Sequence, residues 1–154
     1  MAKNITEWHG ARTRVFEGKY HVRCIRGEVA KIWHQGASSW AKSARIILWF
    51  EIIEGEAAGH IVPAFLTSPE GKKRFSQGSK YYQFWVIANG MKRPFHPGLR
   101  DMPISKFYGK SFEAQIVDVI PRWIVDGKPQ DQPEIFRYSR VDLLLEMVTG
   151  NPNS

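Results

Sequence analysis

The chain has 154 residues, 43% apolar and 24% charged, which suits one domain with its own core and excludes a disordered composition. A net charge of +7 and a pI near 9.7 favour polyanionic partners, while the single cysteine, Cys24, excludes an intramolecular disulfide and a multi-cysteine zinc site. No apolar run approaches the roughly 20 residues of a membrane helix and the N-terminus lacks the apolar stretch of a secretory signal, so a reducing, cytoplasmic setting without membrane contact is expected.

Residues 1–18 read as a lead-in, in which Trp8, Val15 and Phe16 require cover. A first strand is expected over 19–33, where Tyr20, Val22 and Cys24 alternate with His21, Arg23 and Ile25. Gly27 interrupts it and predicts a bulge that lets the strand bend. Residues 34–43, HQGASSWAKS, read as a polar loop. A second strand follows over 44–54. Ala44, Ile46, Leu48, Phe50 and Ile52 take one face; Arg45, Ile47, Trp49, Glu51 and Ile53 take the other, a mixed face expected to be half exposed. A turn over 54–59 leads to a third strand at 60–67, and 68–78 is polar and turn-rich.

The period then changes. Tyr81, Phe84, Trp85 and Ala88 form one helical stripe within 79–88, and Asn89-Gly90 is a stop signal. Residues 91–110 hold Pro94, Pro97 and Pro103 and read as a long loop of the kind that often carries function. A fourth strand is expected at 111–120. Asp126-Gly127 marks a hairpin turn within 121–133. A fifth strand takes 134–147, and 148–154 reads as a flexible tail. The predicted fold is therefore mainly β: a five-stranded OB-fold barrel over 19–147, with one helix between strands three and four. An SH3-like barrel or a split sheet shares that element order.

Four stretches, GKYHVRCIRGEV (18–29), WFEIIEGEAAGHIV (49–62), KYYQFWVIANG (80–90) and FYGKSFEAQIV (107–117), resemble the OB-type single-stranded-DNA-binding proteins of phages and mobile elements. The resemblance covers about 18–145 and lies in turns and core positions, so it speaks to fold more specifically than to function. It implies a protein of replication or recombination that holds single-stranded DNA, with replication or recombination proteins as further partners. Bacterial members commonly end in an acidic, Phe-terminated tail that recruits partners. This chain ends in Asn153-Ser154 without an acidic run, which puts that route of recruitment in doubt.

Single-strand binding needs flat groups to stack bases and cations to follow phosphates. On an OB barrel these come from the strand 2–3 face and the loops joining strands 1–2 and 4–5. The candidates at those places are Lys31, Trp33, Trp40 and Lys42; Arg45 and Trp49; Arg122, Trp123 and Lys128; and Arg137, Tyr138 and Arg140. Trp33 reads equally as core or platform, and Trp49 equally as packing. Trp40 lacks large apolar sequence neighbours that would bury it, and Trp123 sits by a hairpin turn beside Arg122, so both read as binding groups. The cationic surplus is local: residues 71–110 hold nine Lys/Arg against one acid, Asp101. Lys72, Lys73 and Arg74 within it read equally as a solvated cluster.

No catalysis, metal or cofactor is expected. The five histidines show no metal-ligand spacing. No nucleophile-elbow, P-loop or dinucleotide-binding motif occurs. Cys24 sits in an alternating apolar strand, as a buried thiol would. Asp118, Asp126, Asp131 and Glu134 straddle a predicted hairpin and read as solvated turn residues rather than a magnesium cluster. The alternatives are a protein-interaction or homo-oligomer module on the same barrel, using Leu143–Leu145, and an RNA-binding domain.

Overall fold

A computed structural model describes residues 14–35, 40–67, 74–134 and 137–148, with 31–35 and 40–44 described by their backbone alone. The chain runs β1 (Gly18–Gln35), β2 (Trp40–Ile52), β3 (Ile61–Thr67), α1 (Lys80–Ala88), a 3-10 turn (Ile104–Phe107), β4 (Ser111–Val119), β5 (Arg122–Val125), β6 (Lys128–Asp131) and β7 (Tyr138–Met147). Five strands form one antiparallel sheet in the order β3-β2-β1-β4-β7, and β5 and β6 pair separately.

The fold is mainly β with a helix between the third and fourth sheet strands, as expected. The sheet is not closed into a barrel. β3 and β7 approach each other, with the rings of Phe65 and Tyr138 edge to face at 6.2 Å, but no ladder joins them among the described residues. Two local causes are visible. Pro63 lies in the middle of β3 and has no N–H to offer a neighbour, which suits an edge strand. The β4–β7 register shifts twice, between Glu113 and Ala114 and between Gln115 and Ile116, and such bulges bend a strand away from a flat partner.

The alternation in the sequence becomes two faces. Ile46, Leu48, Phe50 and Ile52 of β2, Val62, Ala64 and Leu66 of β3, and Phe112, Ala114 and Ile116 of β4 are all buried on the inner face. α1 closes that core with Tyr81, Phe84, Trp85 and Ala88. Ser79 caps it, its hydroxyl accepting from the Tyr82 amide. Asn89 and Gly90 follow the last turn, Gly90 with φ of +70°. The polar tips of the helix are used as well. Tyr81 Oη donates to the Met102 carbonyl at 2.6 Å, and Trp85 Nε1 to that of Pro103 at 3.2 Å. Lys110 Nζ donates to the Ala88 carbonyl at 2.8 Å. Burial, with Lys106 nearby, holds the Lys110 ammonium below its ordinary pKa.

Three expectations are corrected. The bulge in β1 falls between Cys24 and Arg26, not at Gly27. Gly27 serves close approach instead: a Cβ there would lie 2.5 Å from Ile104 Cγ2 and 2.8 Å from Leu48 Cδ2. The polar stretch 34–43 is not a loop throughout, because β1 runs to Gln35 and β2 starts at Trp40, paired with it. Phe16 is not covered; it is exposed, while Val15 packs against the core and its amide donates to Ser139 Oγ at 2.8 Å. The Asp126-Gly127 turn is as predicted, with φ of 53° and 76° at its two positions, the type I′ geometry that joins β5 to β6.

Candidate nucleic-acid interface

Because side chains alternate along a strand, the partners of the inner-face residues point outward, and pairing aligns them across three strands. Arg26 of β1 stands opposite Trp49 of β2, which stands opposite Pro63 of β3. Glu28, Ile47 and Phe65 form the next row, and Ala30, Arg45 and Thr67 the row after it. On the far side of the open seam, Tyr138 and Arg140 of β7 continue the same face, since Ser139 and Val141 between and beyond them are buried. Tyr138 meets Phe65 there. The outer face thus carries three aromatic rings, Trp49, Phe65 and Tyr138, among Arg26, Arg45 and Arg140.

Its electrostatics are mixed but cationic. The Arg26 guanidinium carbon lies 5.0 Å from the centre of the Trp49 ring, a cation–π pair. Glu51 is taken by Arg23 at 3.2 Å. Arg140 reaches Asp142 only at 3.8 Å, and Asp142 is already held by Lys80 of α1 at 2.7 Å. Glu28 remains as an acid within the face. Trp49 Nε1, Arg140 Nε and Arg137 Nε are buried without a hydrogen-bond partner among the described residues. An unsatisfied buried donor costs roughly 1–3 kcal/mol.

The sequence-derived candidates divide into three sets. Arg45, Trp49, Tyr138 and Arg140 come together on the outer face, with Arg137 immediately before β7. Arg122, Trp123 and Lys128 lie apart on the β5–β6 hairpin, which pairs with no strand of the main sheet. Arg122 is engaged by Asp131 at 3.0 Å, whereas Trp123 is 46% exposed and Lys128 is exposed. Lys31, Trp33, Trp40 and Lys42 belong to the far end of the β1–β2 hairpin, where Trp33 pairs with Lys42 and Gln35 with Trp40; their side chains lie outside the described residues.

Phe65 and Arg26 were not expected in the site. Phe65 falls on the outward set of β3 with Ile61, Pro63 and Thr67, and period-two reading of that strand would have found it. Arg26 follows the bulge, which moves it onto the face of Trp49, so no alternation counted from Val22 locates it.

The basic middle segment also divides. Lys72 and Lys73 lie outside the described residues. Lys80, Lys106 and Lys110 are structural: Lys106 stands over the Trp85 ring at 5.9 Å, and the other two hold Asp142 and the end of α1. Arg74, Lys92, Arg93 and Arg100 remain exposed around the proline-rich loop. Among the described residues only Lys80, through Asp142, ties this segment to the outer face.

Among the described residues no group of His, Cys, Asp and Glu could hold a metal ion, and no helix is long and apolar enough to cross a membrane. Cys24 is buried, and burial pushes its thiol up to about 12, opposed only by a hydrogen bond with the Arg26 backbone. That environment is the reverse of a reactive nucleophile's. No family model matches the chain, and neither a curated protein nor a solved structure matches it.

Proposed function

We propose that the outer face of the sheet binds single-stranded DNA with little sequence preference, and that the chain is a non-enzymatic, cytoplasmic component of replication or recombination in a phage or mobile element. The observation that carries this reading is the outer face itself: Trp49, Phe65 and Tyr138 spread over three strands, interleaved with Arg26, Arg45 and Arg140. Rings at strand spacing suit successive bases, and guanidinium groups between them suit the phosphates. The strand order adds support. An OB barrel places its first strand between the second and fourth and brings the third against the fifth. The order β3-β2-β1-β4-β7, with β3 and β7 approaching each other, is the order such a barrel would have if it were opened between those two strands. The binding face of such a fold is the one that Trp49 and Phe65 occupy.

Titration of intrinsic tryptophan fluorescence with oligo-dT, oligo-rU and duplex DNA at two salt concentrations tests the reading. Saturable quenching by oligo-dT, weakened by salt and exceeding that of duplex, is expected. Absence of saturable quenching at low salt would sink it, and a preference for oligo-rU would move the function to RNA. A second reading, a protein-interaction or homo-oligomer module, draws on Leu143 and Leu145 of β7 and Val148 just after it, all exposed apolar side chains. Sedimentation of the free chain distinguishes it, since a monomer across the micromolar range would remove it.

A further inference from the structure

The loop after α1 carries a second arrangement, independent of the sheet. Arg74, Phe95, His96, Gly98, Arg100 and Asp101 line an open concavity of about 490 Å³, a size that accommodates a small ligand. Its walls are fixed rather than loose. The Phe75 amide donates to the Pro97 carbonyl, and the Met102 amide to that of Gly98 at 2.8 Å. Met102 is fully buried, and its carbonyl is held by the Tyr81 hydroxyl. Phe75 itself is buried and stacks on Tyr81 at 4.5 Å. Both rims of the concavity are thereby tied to the helix.

Against that pinned backbone one side chain has no structural role. Phe95 is 89% exposed, and its one aromatic contact among the described residues is with His96, edge to face at 4.7 Å. Leaving a phenyl ring in water on an ordered loop forgoes roughly 1.5–3 kcal/mol of burial, so the ring is placed for a partner. Arg74 and Arg100 form no ion pair or hydrogen bond by their side chains among the described residues. Two guanidiniums and one carboxylate, that of Asp101, leave the concavity cationic. A flat ring and two unpaired guanidiniums lining one concavity fit a ligand that carries both a planar group and an anion.

We infer that this concavity is a nucleotide-binding site, in which Arg74 and Arg100 take a phosphate and Phe95 stacks the base. The concave form separates this from insertion into a membrane surface, for which apolar groups would project from a convex tip. The site does not depend on the outer face of the sheet binding anything.

The test is an NMR titration of the full chain with thymidine 5′-monophosphate, thymidine, inorganic phosphate, and vesicles of phosphatidylserine and phosphatidylcholine. Thymidine monophosphate should shift the amides of 95–101 saturably, with thymidine and phosphate each binding about tenfold or more weakly. Phe95→Ala and the pair Arg74→Ala with Arg100→Ala should each weaken it by about tenfold, the scale of one stacked base or one bidentate phosphate contact. Trp49→Ala should leave it unchanged. The inference is overturned if thymidine monophosphate shifts nothing in 95–101, if thymidine binds equally well, or if the substitutions have no effect. Vesicle binding lost on Phe95→Ala, without nucleotide binding, would replace it with a membrane contact. Nucleotide binding here without oligo-dT binding at the sheet would refute the proposed function alone, and the converse would refute this site alone.

Discussion

Phe50 and Trp49 are chain neighbours on β2 and do opposite things. Phe50 points inward, fully buried, and meets Phe112 edge to face at 6.1 Å. Trp49 points outward, half-buried under the Arg26 guanidinium, with its indole N–H unpaired. The whole sheet repeats this contrast. Inner positions are apolar and packed, save for Ser139 of β7, whose hydroxyl is held by the Val15 backbone. Outer positions mix rings with cations and leave donors unmatched. A face that only needed to be wetted would not require three aromatic rings, and a face that only needed to pack would not retain three arginines. Under the proposed function, stability and recognition would be separated by one step along the same strand.

The largest expected effect falls on the inner face. Phe50→Ala should cost about 3–5 kcal/mol in denaturant unfolding, since it opens a cavity in a close-packed core. If it costs no more than Trp49→Ala, the distinction between the faces fails. Gly27→Ala comes next, at about 1–3 kcal/mol of overpacking. Leu48 is locked in the core, and the Cγ2 methyl of Ile104 sits one bond from its branched Cβ, with little freedom to move aside. Trp49→Ala should weaken oligo-dT binding by about 1–3 kcal/mol, the value of one stacked base, with a smaller stability loss than Phe50→Ala. Unchanged affinity with a large drop in melting temperature would make Trp49 a core residue that happens to lie outside.

Alkaline pH probes the inner face differently. The folded chain holds the Cys24 proton more tightly than the unfolded chain, whose thiol titrates near 9.0. The folded state therefore binds more protons above that pH, and stability must fall as pH rises from 9.0 toward about 12. One group contributes at most about 1.4 kcal/mol per pH unit. Cys24→Ala should flatten that slope between roughly pH 9 and 10, before the buried Tyr81 phenol, also raised by burial, adds its own. An unaltered slope would show that Cys24 is not the proton carrier. The smallest effect belongs to Trp123→Ala, exposed on a hairpin outside the main sheet, with a stability change within about 0.5 kcal/mol. Any larger loss would mean the hairpin supports the fold.

Much of this was legible in the sequence, for identifiable reasons. The inner face of β2 and the stripe of α1 were readable because burial imposes a period on apolar residues. Asp126-Gly127 was readable because few residue pairs accept two positive φ values in a row. The ends of β1 and β2 were not, because 34–43 is polar and pairs through its backbone, which leaves no apolar pattern. The displacement of the bulge to Ile25 was equally hidden: a bulge depends on how two strands align, and Gly27 drew attention for a different steric reason. The same hidden shift concealed Arg26 as the companion of Trp49. That β3 and β7 stop short of pairing depends on contacts distant in sequence, and Pro63 was its one local sign.

The unzipped seam has a consequence for how the molecule yields. β2 is paired with both β1 and β3 over 45–51, and β4 with both β1 and β7 over 112–116, whereas among the described residues β3 and β7 each have one paired flank. Under deuterium exchange the amides of these doubly paired stretches of β2 and β4 should therefore be the slowest to take up label, with those facing the seam on β3 and β7 far ahead of them. The sheet would open from its margins inward, and the margins are where Phe65 meets Tyr138. A partner laid across those two rings would act as a clasp, and its arrival should register as slowed exchange along both edges at once.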